Sequence, residues 1–221
     1  TMISAIILAG GSSIRLGGEI PKQFLEINGK KLIDYSISTF LTVKKIDEII
    51  VVIPEKYKDE AEEKYPELKV VSGGASRKES SNKGLSVCSE KTKKVLIHDA
   101  ARAFVTPQLI KDCIESLDNY DAVTLAIPVI DTIALCQNDN IQKMENRDNL
   151  KAIQTPQGFD YKKIKTAHES FKGDATDDIR LMLESGYQCK IIDGHEDNFK
   201  ITTQNDLQKA IQLFKKKKII K

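Results

Sequence analysis

The chain has 221 residues, a length that suits one domain of ordinary to large size or two small ones. Its 34 Lys and Arg residues nearly balance its 32 Asp and Glu residues, so the net charge of +2 excludes a globally basic nucleic-acid-binding protein, and any anion site must be local. Apolar residues make up 40% and charged residues 30%, which is typical of a globular protein, and apolar runs such as residues 49–53 are too short to span a bilayer.

Short apolar runs alternate with longer amphipathic stretches along the chain. The runs predicted as strands are residues 4–9, 48–53, 69–72, 94–98, 122–128 and 188–192. The stretches predicted as helices are residues 32–40, 77–88, 108–117, 161–171, 177–184 and 205–216. The N-terminus lacks the basic region of a signal peptide and is predicted as the first strand. Because several strands are apolar on both faces, they indicate an α/β fold with a mostly parallel sheet covered by helices.

Residues at helix ends support these boundaries. Ser76 and Glu79 form the S-x-x-E pattern of a capping box. Thr106 precedes a proline, as expected for an N-cap followed by Pro at the first helical position. Thr176 is predicted to cap the helix at 177–184, which Gly186 closes.

One stretch interrupts the α/β alternation. Residues 132–135 and 141–144 are short β-like runs around an Asn-Asp-Asn turn at 138–140. A two-stranded hairpin alone is marginal in water, so it is expected to pack on something, with a second subunit the favoured partner. We therefore predict a single domain, residues 1–221, with a β-arm inserted at about 132–150.

The cysteines and histidines do not have metal-site spacing. The four cysteines lie at 88, 113, 136 and 189 without a C-x-x-C pair, and the three histidines at 98, 168 and 195 without an H-x-x-x-H pair. This pattern disfavours structural zinc and predicts four buried thiols in a reducing cytoplasm. His98 is interpreted as a hydrogen-bonded residue at a strand end, and His168 and His195 as surface residues.

The loop after the first strand, LAGGSSIRLGGEIPKQ at residues 8–23, could bind phosphates. Its glycines allow backbone N–H groups to approach an anion, and it adds two long cations, Arg15 and Lys22. It matches neither the P-loop nor the dinucleotide pattern, because Lys22 follows proline and no Ser or Thr comes after it. A polyphosphate site and a surface turn with two solvated cations both remain open.

Asp99 follows the buried run at 94–98, at the carboxyl end of a predicted strand. A carboxylate there is costly unless it is paired or bound to a cation. Together with a triphosphate it could hold Mg²⁺, which uses one or two carboxylates plus substrate oxygens. The alternative is a simple ion pair between Asp99 and Arg102.

Seven groups of residues, in order, resemble the 2-C-methyl-D-erythritol 4-phosphate cytidylyltransferases and their sister branch, the ribitol 5-phosphate cytidylyltransferases. The matching signatures are LAGG at 8–11 with Arg15 and PKQFL at 21–25, GG-x-x-R-x-x-S at 73–80, HDAAR at 98–102, P-x-x-DT at 128–132, QTPQ-x-F at 154–159, TDD at 176–178 and K-x-T-x-x-x-DL at 200–207. Each is weak alone, but together they cover nearly the whole chain.

The resemblance implies a Rossmann-like nucleotidyltransferase fold with a β-arm for homodimerisation. It also implies that CTP and a polyol phosphate are converted to a CDP-polyol and pyrophosphate with Mg²⁺. The charge balance, the short apolar runs and the cysteine pattern predict a cytoplasmic protein without nucleic acid or membrane partners. Catalytic roles would fall to Arg15, Lys22, Arg147 and Lys200. Nucleotide binding would fall to Ala9, Gly10, Gly11, Gly74, Arg77 and Ser80. Acceptor binding would fall to Asp99, Arg102, Thr132, Arg147, Thr155, Thr176 and Lys200, with Asp99 also at the metal position.

Departures from the family pattern leave the acceptor open. Ala103 stands where many relatives have proline, and Ala134 where the erythritol branch often has lysine. LAGG resembles both branches, whereas the TDD run and Arg147-x-x-Leu150 favour the erythritol branch. The hypotheses are thus a methylerythritol phosphate enzyme of isoprenoid precursor synthesis, a ribitol phosphate enzyme of cell-surface polymer synthesis and a catalytically silent nucleotide-binding subunit.

Overall fold

A seven-stranded sheet forms the centre of the computed structural model, which describes residues 1–10 and 20–219, with side chains described to residue 216. The strands in chain order are β1 (Met2–Leu8), β2 (Glu26–Ile27), β3 (Lys30–Lys31), β4 (Glu48–Ile53), β5 (Lys69–Ser72), β6 (Thr92–Asp99), β7 (Ala122–Pro128), β8 (Ala134–Gln137), β9 (Asn140–Met144), β10 (Lys151–Asp160) and β11 (Cys189–Asp193). The central sheet has the order β11-β7-β10-β6-β1-β4-β5. In it β10 runs antiparallel to both neighbours, and the other pairings are parallel.

The six predicted strands are all present in the central sheet. The seventh, β10, was not predicted, because its polar QTPQ segment does not resemble a buried strand. Its pairing with β7 shifts register between Gln154 and Gln157, around the cis peptide bond that joins Thr155 to Pro156. The antiparallel β10 places this polar segment in the middle of the sheet, next to the carboxyl end of β6.

Seven helices pack around the sheet in the part of the chain that the structure describes. They are α1 (Leu32–Leu41), α2 (Lys58–Lys64), α3 (Arg77–Ser86), α4 (Pro107–Ser116), α5 (Tyr161–Ser170), α6 (Asp178–Glu184) and α7 (Gln204–Ile219). Six of them confirm the sequence predictions within a few residues, while α2 was missed. The hydroxyl oxygens of Ser76 and Thr106 accept hydrogen bonds from backbone N–H groups, as predicted for caps. The predicted cap at Thr176 was wrong, since the Asp177 carboxylate caps α6 instead.

The two faces of the sheet carry separate cores. Along β1, Ala5 and Ile7 pack with α1, α2 and α4, whereas Ile6 and Leu8 pack with α3, α5 and α6. This alternation explains why β1 is apolar on both faces. A third cluster joins α7 to Phe104 and Ile201 near the carboxyl edge of the sheet. Loops at this edge are therefore held between α3, α6 and α7.

The predicted hairpin is present as β8 and β9, joined by Asn138 and Asp139 in left-handed conformations with φ of 48° and 61°. Asn and Asp tolerate this conformation better than other residues with a Cβ, as a tight hairpin turn requires. Apolar side chains around the hairpin are exposed, among them Leu135 at 56%, Ile141 at 66% and Met144 at 54%. We refer to residues 130–150 as the arm.

Cysteine burial differs from the prediction. Cys88 and Cys113 are buried, but Cys189 is half-buried and Cys136 is exposed on the arm, so the expectation of four buried thiols was wrong. Among the described residues, no three His, Cys, Asp or Glu side chains group as metal ligands. None of the described helices is both long enough and apolar enough to cross a membrane.

Candidate active site

Several predicted residues meet at the carboxyl edge of the sheet because β1 and β6 are parallel and in register. Leu8 pairs with Asp99, and the N–H of Ala100 donates to the Leu8 carbonyl at 2.9 Å. The glycine loop that begins at Gly10 therefore starts beside Asp99. In open α/β sheets this edge, where loops leave the strands, is where ligands bind.

Asp99 holds two cationic side chains that come from distant parts of the chain. Its Oδ2 accepts a hydrogen bond from Lys200 Nζ at 2.7 Å, and its Oδ1 from Arg77 Nε at 3.3 Å. Burial alone would raise the pKa of Asp99, but the charges of Arg77 and Lys200 outweigh it and hold that pKa well below its usual range. Asp99 is therefore an ionised carboxylate at neutral pH, sharing two cations.

Arg102 is buried close by but does not form the ion pair considered from the sequence. Its guanidinium donates to the carbonyls of Asn198 at 2.9 Å and Ile153 at 3.2 Å. Burial lowers the pKa of Arg102, and the nearby Asp99 charge only partly opposes this. The carboxylate of Asp99 instead contacts Arg77 and Lys200, so Arg102 braces β10 against the loop before Lys200.

Ser80 fills the space between two glycine segments. Its Oγ accepts a hydrogen bond from the Gly74 N–H at 3.0 Å. A Cβ on Gly10 would lie 3.0 Å from this Oγ, and one on Gly73 would lie 3.1 Å from it. The close approach favours glycine at both positions, and it brings the predicted nucleotide residues Gly10, Gly74 and Ser80 together.

Lys22 lies at the start of a short 3-10 turn, Lys22–Phe24, and is only 7% exposed. The Gln23 amide donates to the Ala9 carbonyl at 2.6 Å, which ties this turn to the end of β1. Desolvation favours neutral Asp206, but backbone N–H groups at the start of α7 and the charge of Lys22 hold its pKa below the usual range. Lys22 thus lies on a turn that is tied to the end of β1, close enough to the start of α7 to affect the Asp206 carboxylate. Two other predicted residues, Gly11 and Arg15, lie outside the described residues.

His98 and Thr155 form a support beneath Asp99. The Thr155 hydroxyl accepts from the Asp99 N–H at 3.0 Å and lies 3.0 Å from His98 Nδ1, while His98 Nε2 lies 3.3 Å from the Arg102 carbonyl. Complete burial lowers the pKa of His98 to about 3, so its imidazole is neutral and donates through Nε2. This confirms that His98 is a hydrogen-bonded residue at a strand end. Thr155, assigned to the acceptor by resemblance, is buried and engaged here.

Three predicted acceptor-binding residues make no hydrogen bond to Asp99 among the described contacts. Thr132, Arg147 and Thr176 are exposed, and none of them is among the described hydrogen-bond partners of Asp99. The Arg147 guanidinium donates to the carbonyl of Ile130 at 2.9 Å, at the base of the arm.

The sequence analysis did not predict that Asp178 and His168 hold the Arg77 side chain in place. Arg77 Nη1 donates to Asp178 Oδ2 at 2.6 Å, and Asp178 Oδ1 lies 3.0 Å from His168 Nε2. His168 is buried, so its assignment to the surface was wrong. The available signal was helical spacing, since His168 lies one turn after Ile164, which is also buried on α5.

A mostly parallel sheet with a glycine loop, a buried lysine and an ionised aspartate at its carboxyl edge defines an α/β nucleotidyltransferase. The model of the 2-C-methyl-D-erythritol 4-phosphate cytidylyltransferase family matches residues 3–216. The chain belongs to this family, which confirms the expected fold and the expected CTP-dependent cytidylyltransferase activity. The family match also favours methylerythritol phosphate over ribitol phosphate as the acceptor.

Individual relatives agree with this assignment. The cytidylyltransferase of Caldanaerobacter subterraneus is 38% identical over 228 residues, covering 97% of this chain and 99% of that protein. The bifunctional enzyme IspD/IspF of Wolbachia pipientis is 38% identical over 98% of this chain, which spans 56% of that protein's length. The crystal structure of 4-diphosphocytidyl-2C-methyl-D-erythritol synthase from Anaerococcus prevotii superposes with a TM-score of 0.87 at 32% identity, covering 97% of this chain and 96% of that one.

Proposed function

We propose that this chain transfers the cytidylyl group of CTP to the phosphate of 2-C-methyl-D-erythritol 4-phosphate, releasing pyrophosphate, at the site around Asp99. The observation that carries the proposal is the meeting of Asp99, Arg77 and Lys200 beside the glycine segments at the carboxyl edge of the sheet. An edge with anchored cations and an accessible backbone suits two phosphorylated substrates.

The reaction needs positioning and charge neutralisation rather than a general base. A phosphate oxygen of the acceptor attacks the α-phosphorus of CTP in line, and pyrophosphate leaves with the electrons of the broken P–O bond. At neutral pH the acceptor phosphate is mostly a dianion, so no proton has to be removed from the nucleophile. The buried, neutral His98 fits this mechanism, because it supports the site rather than acting as a base.

Cations must therefore stabilise the charge that develops around the α-phosphorus. Lys22 lies on the turn that is tied to the end of β1, and Lys200 Nζ donates to Asp99, so the two cations come to this edge from different segments. Arg15 is proposed to join them from the glycine loop. Preorganised charges of this kind are the main source of catalysis in phosphoryl transfer.

The residues present also fit a magnesium ion. Asp99 is ionised and its hard oxygen ligands suit Mg²⁺, which commonly takes one or two carboxylates and completes its shell with substrate oxygens and water. When bound, Mg²⁺ would neutralise phosphate charge, and Asp99 would hold it against the triphosphate.

The exposed side chains of the arm support the proposal that the chain forms a homodimer. Its exposed apolar side chains, including Leu135, Ile141 and Met144, are expected to be covered by a second copy. Arg147 and Thr132 lie at the base of the arm, and we propose that they bind the acceptor at an interface site. The free cysteines support action in the cytoplasm.

The proposal is tested by measuring pyrophosphate release with CTP, Mg²⁺ and a panel of polyol phosphates. Turnover with methylerythritol phosphate and little with ribitol 5-phosphate is expected. Preference for ribitol 5-phosphate would move the chain to the sister activity. CTP binding without turnover of any acceptor would support the silent subunit.

Replacing Asp99 with Asn is expected to raise the Mg²⁺ concentration needed for half-maximal activity by roughly tenfold or more, because the carboxylate loses its charge beside the metal. The measurement is a magnesium titration at saturating CTP and acceptor. Asp118→Asn is the matched control, since it removes one carboxylate from an exposed pair with Lys94. An unchanged titration for Asp99→Asn would assign Asp99 to the ion pairs alone.

A further inference from the structure

A chain of buried polar contacts leads from the protein interior to Asp99. Arg77, at the start of α3, donates from Nε to Asp99 and from Nη1 to Asp178. Its third nitrogen, Nη2, is buried without a hydrogen-bond partner among the described residues. The direction of the guanidinium is therefore fixed by two carboxylates, Asp99 in the candidate active site and the buried Asp178.

Asp178 is itself held by two further side chains. Its Oδ1 accepts from Ser81 Oγ at 2.8 Å and lies 3.0 Å from His168 Nε2, and its side chain is 1% exposed. His168 Nδ1 is buried without a partner among the described residues, so Nε2 is the ring nitrogen that donates to Asp178. Both oxygens of Asp178 are thus engaged, with Oδ2 directed to Arg77.

Within this series of buried contacts, the number of carboxylates equals the number of Lys and Arg side chains. Burial opposes ionisation of Asp178, but the charge of Arg77 and the hydrogen bond from His168 hold its pKa below the usual range. Two carboxylates, Asp99 and Asp178, therefore face two cations, Arg77 and Lys200. Without Asp178, Asp99 alone would face both cations, and its capacity to bind a metal or a substrate would fall.

We propose that Asp178, oriented by His168, is a positioning residue that fixes Arg77 and thereby keeps Asp99 available for the reaction. Folding alone does not explain the arrangement, since buried ion pairs contribute little net stability compared with apolar residues of similar volume. The inference deepens the proposed function and rests on it for its kinetic test, but not for its spectroscopic one.

The kinetic test is a double-mutant cycle of Asp178→Asn and Arg77→Gln. The amide introduced by Asp178→Asn can keep its oxygen toward Arg77 and place its NH2 group toward the Ser81 hydroxyl and His168 Nε2. The His168 proton then moves to Nδ1, which is buried without a partner among the described residues, so some loss of stability is expected as well. Each single variant is expected to lower kcat/KM by roughly 10–100-fold, as for other residues that orient a ligand group. Since Asp178 acts through Arg77, the double variant should lie within about threefold of Arg77→Gln. Effects that multiply, or a loss of thermal stability with normal kinetics, would overturn the proposal.

The spectroscopic test does not need the enzyme to turn over. The NMR signal of the Arg77 Nε–H, assigned with Arg77→Lys, reports how firmly the guanidinium is held. Its exchange with solvent is expected to be at least roughly tenfold faster in Asp178→Asn, because a neutral amide oxygen replaces the charged carboxylate that holds Nη1 and makes a weaker hydrogen bond. Unchanged exchange would overturn the proposal even if the wild-type enzyme proved inactive on every acceptor.

Two matched variants of His168 test the same proposal if Asp178→Asn does not fold. His168→Gln keeps an amide donor at similar reach, whereas His168→Leu removes it. His168→Leu should speed Arg77 exchange and lower kcat/KM, and His168→Gln should restore most of both. Equal behaviour of the two variants would contradict the proposal. Asp118→Asn, in its exposed pair with Lys94, should leave both readouts unchanged.

Discussion

Lys22→Ala is expected to lower kcat by roughly a hundredfold or more while weakening CTP binding far less. The reason is that a preorganised cation meets charge that develops in the transition state, and removing one such donor costs about 3 kcal/mol. Lys22 is suited to this role because it is buried next to the glycine loop and electrostatically coupled to Asp206. The measurement compares single-turnover rates with the Kd of CTP determined by calorimetry.

Burial of Lys22 makes a second variant necessary. Lys22→Met keeps most of the apolar stem and removes the charge, so a loss shared by both variants assigns the effect to the ammonium group rather than to packing. Lys45→Ala is the control for a general loss of positive charge, since Lys45 lies in an exposed pair with Glu115. Equal losses in CTP binding and turnover would place Lys22 in ground-state recognition instead.

The parallel strands could be predicted because each combines an apolar run with polar or turn-forming neighbours. β10 could not, because Gln154, Thr155 and Gln157 suggest a loop. They are buried only because other segments satisfy them: the Gln154 amide bonds to the backbone of His195, and Gln157 donates to Asp177 at 2.5 Å. Such compensation depends on tertiary contacts that local propensity does not contain.

The location of the site could be predicted from the sequence, but which cationic side chains pair with Asp99 could not. A carboxylate directly after a buried run marks a strand's carboxyl end, and this identified Asp99. Its partners could not be chosen by distance along the chain. Arg102 is three residues away but turns toward backbone carbonyls, while Lys200 is 101 residues away and forms the ion pair. The fold, and not the sequence separation, decides which cation reaches the carboxylate.

The N-cap of α6 is a second feature that local sequence preferences could not decide. Thr176 and Asp177 are both good N-cap residues, so the sequence allowed either. The structure uses Asp177 because α6 begins at Asp178, which must point inward to meet Arg77. Burial raises the pKa of Asp177, although the hydrogen bond from Gln157 opposes this. The cap at Asp177 is therefore combined with a buried Asp178 that contacts Arg77, a tertiary arrangement that capping preference alone does not predict.

Arg147→Ala is expected to raise the KM for the polyol phosphate by roughly tenfold or more, because a hydrogen bond to a charged group contributes about 1.5–3 kcal/mol. The KM for CTP and the thermal stability should change little, since Arg147 is exposed and its described contact is with the carbonyl of Ile130. Steady-state kinetics with each substrate varied in turn measure this. A normal KM for the acceptor would remove Arg147 from the site.

Mixing two impaired subunits tests whether Arg147 serves its partner's site. Activity is measured at an acceptor concentration well below the raised KM of Arg147→Ala, where that variant and Lys22→Ala are both nearly inactive. In a heterodimer of Arg147→Ala and Lys22→Ala subunits, action across the interface leaves one site with both lesions and the other with neither. Purified heterodimer should then regain about half of normal activity, and a randomly reassorted mixture about a quarter, since half of its dimers are mixed. If Arg147 serves its own subunit, each mixed site carries one lesion and mixing restores nothing. A monomer by light scattering at assay concentration would contradict the shared site before any kinetics, because the exposed arm would then have no second copy to cover it.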